Sequence, residues 1–289
     1  MSVERVRHLV GIGVDATAEL ADAAAPDVLR LENLDTDLRP PDGALAISRD
    51  EVDADSANSY LPFFGANELR MAATEHVAGL SGVQYDWQRQ CIITAGGCAG
   101  ILNTLLALLN PGDEVVMTDP IYVGLINRVR LAGGIPVFVP FHAANGAWRL
   151  DLDALRRAIT KRTRVFLMMS PSMPSGAVLN RSEWEAIAKA CIDADAWMIY
   201  NAAMERILYD GAAHNHGGYG IQGTTNDRLA RGLDCRAGRD DARHRPRVHF
   251  ECGVPGGNRA TCGGGSVARW RSVVSSGRCG MASAARLRS

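Results

Sequence analysis

Four short stretches hold residues whose types and spacing could do chemistry. The first is Ile92-Ile93-Thr94-Ala95-Gly96-Gly97-Cys98-Ala99-Gly100-Ile101, an apolar run that meets two glycines and then a helical pattern. Gly96 and Gly97 lack a Cβ, so the backbone there can turn tightly and approach a ligand. The helix that follows would aim unpaired N–H groups at whatever sits above the turn, and a phosphate is the natural occupant. Cys98 adds a thiol, a weaker donor than a hydroxyl; its other reading is a small buried hydrophobe. The second stretch, Asp119-Pro120-Ile121-Tyr122, ends another apolar run. Tyr122 offers a flat apolar face with a polar tip to a planar ligand, or simply packs in the core. The third and fourth are Pro171-Ser172-Met173-Pro174-Ser175-Gly176 and Asn201-Ala202-Ala203-Met204-Glu205. Upstream, Tyr60 lies in an aromatic loop, Ser59 to Gly65.

The elements that must position these stretches follow from periodicity. Apolar runs at 91–94, 115–118, 135–141, 165–169 and 197–200 read as strands. They alternate with helical patterns at 101–109, 123–131, 152–159 and 184–192. Asn110-Pro111-Gly112-Asp113 and Gly133-Gly134 supply stop signals between them. Helical spacing also runs through 2–25 and 66–80, with Arg39-Pro40-Pro41 as a break between. Short, continuous, apolar strands belong to a sheet covered on both faces, and strand–helix alternation predicts an α/β, doubly wound, mostly parallel sheet. Ligands in such sheets sit beyond the C-terminal strand ends. The stretches beginning at Ala95, Asp119 and Asn201 all fall at such ends.

The chain of 289 residues can bury a large core. No apolar run reaches the length of a membrane span, and residues 1–25 carry Glu4, Asp15 and Glu19 without a sustained apolar stretch, so no secretory signal is read there. A cytoplasmic location is the expectation. Seven cysteines without Cys-x-x-Cys spacing then read as free thiols. The formal net charge of −1 hides a split: residues 212–289 hold 13 Arg against 5 acids, which leaves a net of −9 for residues 1–211.

Taken together the motifs resemble the fold-type I pyridoxal-phosphate aminotransferases of class I/II. Tyr60-x-Pro62-x-x-Gly65-x-x-Glu68-Leu69-Arg70, Gly96-Gly97-Cys98, Asn110-Pro111-Gly112-Asp113, Asp119-Pro120-x-Tyr122, Ala132-Gly133-Gly134-x-Pro136-Val137, the Met173-Pro174-Ser175-Gly176 turn and Asn201 through Gly211 occur in order and carry the resemblance. It implies amino-group transfer between an amino acid and a 2-oxo acid, with pyridoxal 5′-phosphate as cofactor. By the same resemblance Gly96, Gly97 and Cys98 grip the phosphate, and Tyr122 stacks on the pyridine ring. Tyr60 reaches the phosphate of a neighbouring subunit, which implies a homodimer. Met173 stands where the family has an Asn that bonds the ring's phenolic oxygen. Asn201 stands for the Asp that keeps the ring nitrogen protonated, and Met204 for a Tyr. The family's Schiff-base lysine has no counterpart. The only lysines, Lys161 and Lys189, read as solvated surface charges, so no catalytic residue is assigned. No metal ligands are assigned among these positions.

The resemblance divides the chain into an N-terminal arm with part of a small domain (1–55), an incomplete cofactor-binding large domain (56–211) and a tail (212–289). The tail holds 13 Arg, 14 Gly and no Lys, and it lacks helical or strand periodicity, so an irregular or disordered segment is expected. Three readings stay open: translation out of frame past about residue 212, a basic arm for nucleic acid or another polyanion, or a zinc site at His244, His249, Cys252 and Cys262. Only Tyr219, Phe250 and Trp270 could stack on bases, so nucleic acid is not the expected partner. The zinc spacing matches no standard structural site. The overall expectation is an aminotransferase-lineage chain with little or no activity.

Overall fold

A computed structural model describes residues 6–11, 13–24, 28–30, 32 and 39–209. The expectations for the tail, including the four possible zinc ligands, lie outside the described residues. Five strands form one sheet: β1 (Glu114–Asp119), β2 (Ile135–Ala144), β3 (Ala147–Leu150), β4 (Thr163–Met169) and β5 (Trp197–Asn201), in the order β3-β2-β1-β4-β5. β2, β1, β4 and β5 run parallel; β3 folds back antiparallel on β2. The expected doubly wound, mostly parallel sheet is what the chain builds.

Adjacent residues on each strand feed opposite faces of the sheet, as the period of two requires. Val115, Met117, Val165, Leu167 and Met169 pack with Ile101 and Leu105 of α5 (Gly97–Leu108) and Leu125 and Val129 of α6 (Val123–Leu131). Val116, Phe166 and Met168 pack on the other face with Leu155 of α7 (Leu152–Arg157) and with Trp184 and Ile187 of α8 (Arg181–Asp193). Burial on both faces explains why these strands read as continuous apolar runs. Each such fully buried side chain contributes about 1.5–3 kcal/mol. Trp184 meets the Tyr200 ring edge-on at 5.4 Å, and the Tyr200 hydroxyl donates to the Ser170 carbonyl at 2.7 Å, fixing β5 to the end of β4. α8 starts with a reciprocal cap, in which Asn180 accepts from the Glu183 N–H while the Glu183 carboxylate accepts from the Asn180 N–H.

The structure corrects several expectations. Residues 91–94 are not a strand. Their polar groups are taken from outside any ladder: the Arg70 guanidinium donates to the Cys91 carbonyl at 2.8 Å, and the Ile93 N–H donates to the Phe64 carbonyl at 3.0 Å. Among the described residues of the N-terminal stretch the α-helix is α1 (Gly13–Asp22), and 6–8 form a tight turn. Leu106, an apolar residue within the expected helix at 101–109, is exposed. α2 (Asp42–Asp53) lies outside the expected elements, with Ala44, Leu45 and Ile47 half-buried. β3 also went unread, although Asn145-Gly146, both at positive φ, is the expected two-residue hairpin turn. The remaining described helices are α3 (Asn67–Ser81) and α4 (Trp87–Gln90).

Candidate functional site

The phosphate-type turn is built from backbone. Gly96 caps α5 at φ 91°, ψ 155°, a region that is in effect glycine's alone, and a Cβ built there would meet nothing within 4 Å. The space beside the Gly96 Cα is therefore open. Gly97 and Cys98 begin a helix of 12 residues, where N–H groups have no intrahelical acceptor. Arg128 on α6 lies behind the turn: its Nε donates to the Cys98 carbonyl at 3.0 Å and a terminal nitrogen donates to the Gly124 carbonyl at 2.7 Å. Its charge adds to the positive end of the α5 dipole.

Tyr122 caps the start of α6 and folds its ring over Gly124. A Cβ on Gly124 would sit 2.3 Å from the ring, so only glycine leaves room for this placement. Burial pushes the Tyr122 hydroxyl's pKa up, and the nearby Cys98 thiol pushes it further, while Arg128 opposes. Cys98 and Tyr122 are thus electrostatic neighbours.

On the far side, β5 runs beside β4 to the pair Met169–Asn201. The Asn201 carboxamide oxygen accepts from the Ala203 N–H at 3.0 Å, just before the turn at 203–206, and leaves the amide nitrogen as the donor it can offer outward. Met173 and Met204 are half-buried against the same apolar cluster as Tyr122, the cluster founded on Ile101 and Leu105. The Ser172 hydroxyl donates to the Pro120 carbonyl at 3.4 Å, tying the Met173 turn to the Tyr122 turn.

Cys98, Tyr122, Met173 and Met204 are therefore brought together at one end of the sheet, with Gly96, Gly97 and Asn201 at its borders. Tyr60 is not among them: it is fully exposed, as is Phe63, on the loop before α3. The two lysines lie elsewhere. Lys161 is exposed in the turn that enters β4, and Lys189 is exposed in the last turns of α8, paired with Asp193 at 2.6 Å. α8 returns toward the start of β5, so both lysines sit at the N-terminal strand ends, opposite the cluster. Arg128 and His76 have no place in the sequence motifs, and Arg70 and Glu205, which stand in them, have no role assigned there; the structure shows what each holds. Nothing in local spacing signals them, because each acts on residues far away in the chain.

A phosphorylated pyridine fits this residue set in part. The backbone cradle suits a phosphate, and Tyr122, Met173 and Met204 suit the flat apolar ring. At its polar edge the ring would find a neutral amide and a thioether. Among the described residues no groups of three or more potential metal ligands gather, and no helix is long and apolar enough to cross a membrane.

Comparison with known proteins agrees with this geometry. The family model for aminotransferase class I and II matches residues 29–220. The chain is 35% identical over 174 residues to the probable N-succinyldiaminopimelate aminotransferase of Mycobacterium tuberculosis, covering 60% of this chain and 44% of that protein. It is 31% identical over 201 residues to the aspartate aminotransferase of Streptomyces avermitilis, covering 70% and 49%. The solved N-succinyldiaminopimelate aminotransferase from Mycobacterium tuberculosis superposes with a TM-score of 0.69 at 32% identity, covering 74% of this chain and 55% of that one. The chain spans about half the length of these relatives.

Proposed function

The chain belongs to the class I and II aminotransferases, and on that premise we propose that it keeps the family's seat for pyridoxal phosphate without performing amino transfer between an amino acid and a 2-oxo acid. In this reading residues 56–211 are the partial cofactor domain and residues 1–55 an arm with part of a small domain. Pyridoxal phosphate, when bound, supplies an electron sink for charge developing at a substrate carbon. The N–H groups of Gly97 and Cys98 would hold its phosphate at the Gly96 turn. Tyr122 would cover one face of the ring, with Met173 and Met204 keeping water from its edge. Asn201 can donate a hydrogen bond to the ring nitrogen, yet a neutral amide adds no charge to hold a proton there.

The observation that carries the silent reading is the placement of Lys161 and Lys189. Both are exposed, and both stand at the opposite end of the sheet from Tyr122. An amine that bonds the cofactor aldehyde and then moves a proton must sit within hydrogen-bond reach of both atoms. The test is borohydride reduction of the purified chain with stoichiometric pyridoxal phosphate, followed by intact mass. The expected mass is unmodified, and dialysis removes the cofactor. A single stoichiometric adduct on either lysine, blocked by inorganic phosphate, would refute the proposal.

Two further parts rest on weaker support. Full exposure of Tyr60 and Phe63 supports a homodimer in which this loop meets a second copy. The composition of residues 212–289, with 13 Arg and no Lys, supports translation out of frame, and reading the gene's other two frames past codon 212 for a Ser-x-x-Lys followed by Arg checks it. The expected cytoplasmic location rests on the sequence alone.

A further inference from the structure

We propose that His76 and Glu205 form a latch that fixes the Asn201–Met204 segment relative to the Gly96–Cys98 turn, making both of them positioning residues for the pocket. The inference rests on the reading that these two segments face one ligand. His76 Nε2 lies 2.8 Å from a Glu205 carboxylate oxygen, with side chains 9% and 8% exposed, across 129 residues of sequence. Arg206 brings a terminal nitrogen to 3.4 Å from His76 Nδ1, and its Nε lies 3.7 Å from the same Glu205 oxygen. A guanidinium can only donate, so Nδ1 must accept. The imidazole proton then sits on Nε2 and is donated to the carboxylate. One tautomer satisfies all three groups.

The latch has leverage because α3 is gripped again two turns away. Arg70, buried, donates to the carbonyls of Cys91 at 2.8 Å, Trp87 at 2.7 Å and Gln88 at 2.8 Å. Its guanidinium lies 5.5 Å from the Phe64 ring centroid and 5.2 Å from that of Trp87. Ala73 and Val77 of the same helix pack on Cys91 and Ile93, the segment that leads into Gly96. The same helix therefore grips the approach to the Gly96 turn through Arg70, Ala73 and Val77 and holds Glu205 through His76, which lies between Ala73 and Val77. The Glu205 N–H donates to the Ala202 carbonyl at 2.9 Å, in the turn that directly follows Asn201, whose side chain accepts from the Ala203 N–H. Shifting Glu205 therefore shifts the ring end of the pocket.

The test compares His76→Leu with His76→Gln, whose amide can donate in place of the imidazole, both in the full chain. Amide hydrogen exchange is read at 201–206, with 163–169 as internal reference, alongside titration with pyridoxal phosphate and with inorganic phosphate. Losing a hydrogen bond to a charged group predicts about tenfold faster exchange at 201–206 in His76→Leu. Exchange at 163–169 should not change. Pyridoxal phosphate should bind about tenfold more weakly, inorganic phosphate as before, and His76→Gln should restore both. Unchanged exchange at 201–206, or acceleration shared with 163–169, overturns the latch. If the unaltered chain binds no pyridoxal phosphate, the pocket reading fails while the exchange data still decide the latch. Should His76→Leu not fold, Glu205→Gln, which keeps an acceptor for the imidazole, is expected to raise exchange on the same segment by a smaller factor, and no rise there overturns the proposal.

Discussion

The two ends of the candidate pocket are made of different material. The phosphate end is backbone: a glycine at φ 91° and the first N–H groups of α5. The ring end is side chain: Tyr122, Met173, Asn201 and Met204. A backbone-built seat survives a change of neighbouring side chain, because peptide N–H groups are the same whatever residue carries them. A side-chain-built seat changes its chemistry with each substitution. In this chain the first end keeps the features that favour an anion. The second has become a neutral, largely apolar wall. The contrast shows how a chain can keep its family's fold while the side chains at one end of the candidate pocket differ in chemistry from those at the other.

The sharpest way to break this contrast is Gly96→Val. A β-branched residue at that backbone conformation costs about 1–3 kcal/mol, so pyridoxal phosphate and inorganic phosphate should both bind roughly five- to a hundredfold more weakly by titration calorimetry. Equal binding would show that the turn is not the seat. Tyr122→Ala probes the other end. Loss of ring contact worth about 0.5–1.5 kcal/mol should weaken pyridoxal phosphate roughly two- to tenfold and leave inorganic phosphate untouched. A fall in both would mean that Tyr122 acts through the fold. Cys98→Ser sharpens the comparison in the opposite direction. A hydroxyl donor adds about 0.5–1 kcal/mol, so both ligands should bind roughly two- to fivefold tighter, and a loss of affinity would mark Cys98 as a packing residue.

The smallest effect belongs to the distant end of the sheet. Glu114 is buried at the start of β1, and the Thr160 hydroxyl, with help from Arg162, holds its carboxyl below the ordinary value of 4.5. Its contribution to stability is therefore complete above that value and is lost as the pH falls through the lower folded-state pKa. Thermal unfolding between pH 3 and 6 should show an acid-side decline that is shallower in Glu114→Gln. Ligand affinity at neutral pH should not change. If it does, the two ends of the sheet are coupled in a way this geometry does not suggest.

Much of the architecture was legible along the chain. Strands buried on both faces write themselves as unbroken apolar runs, so Val115–Thr118, Val165–Met169 and Trp197–Tyr200 were visible, with the mostly parallel sense of the sheet, while their order in it came from the structure. Helix α6 was readable to the residue, because Tyr122 and Gly133 bracket its apolar stripe. The apolar run 91–94 misled, since its backbone partners are a loop carbonyl and an arginine rather than a neighbouring strand.

The sequence by itself determined the lineage, the glycine turn, the residues standing at the ring end and the presence of just two lysines, since each is a matter of residue type and local spacing. Only the tertiary structure decided which of these meet. It put Tyr122, Met173 and Met204 on one cluster, turned Tyr60 outward, and set both lysines at the opposite edge of the sheet. It also joined His76 to Glu205. Contacts between residues more than a hundred positions apart leave no periodic trace, because the packing that creates them depends on the whole sheet being assembled first.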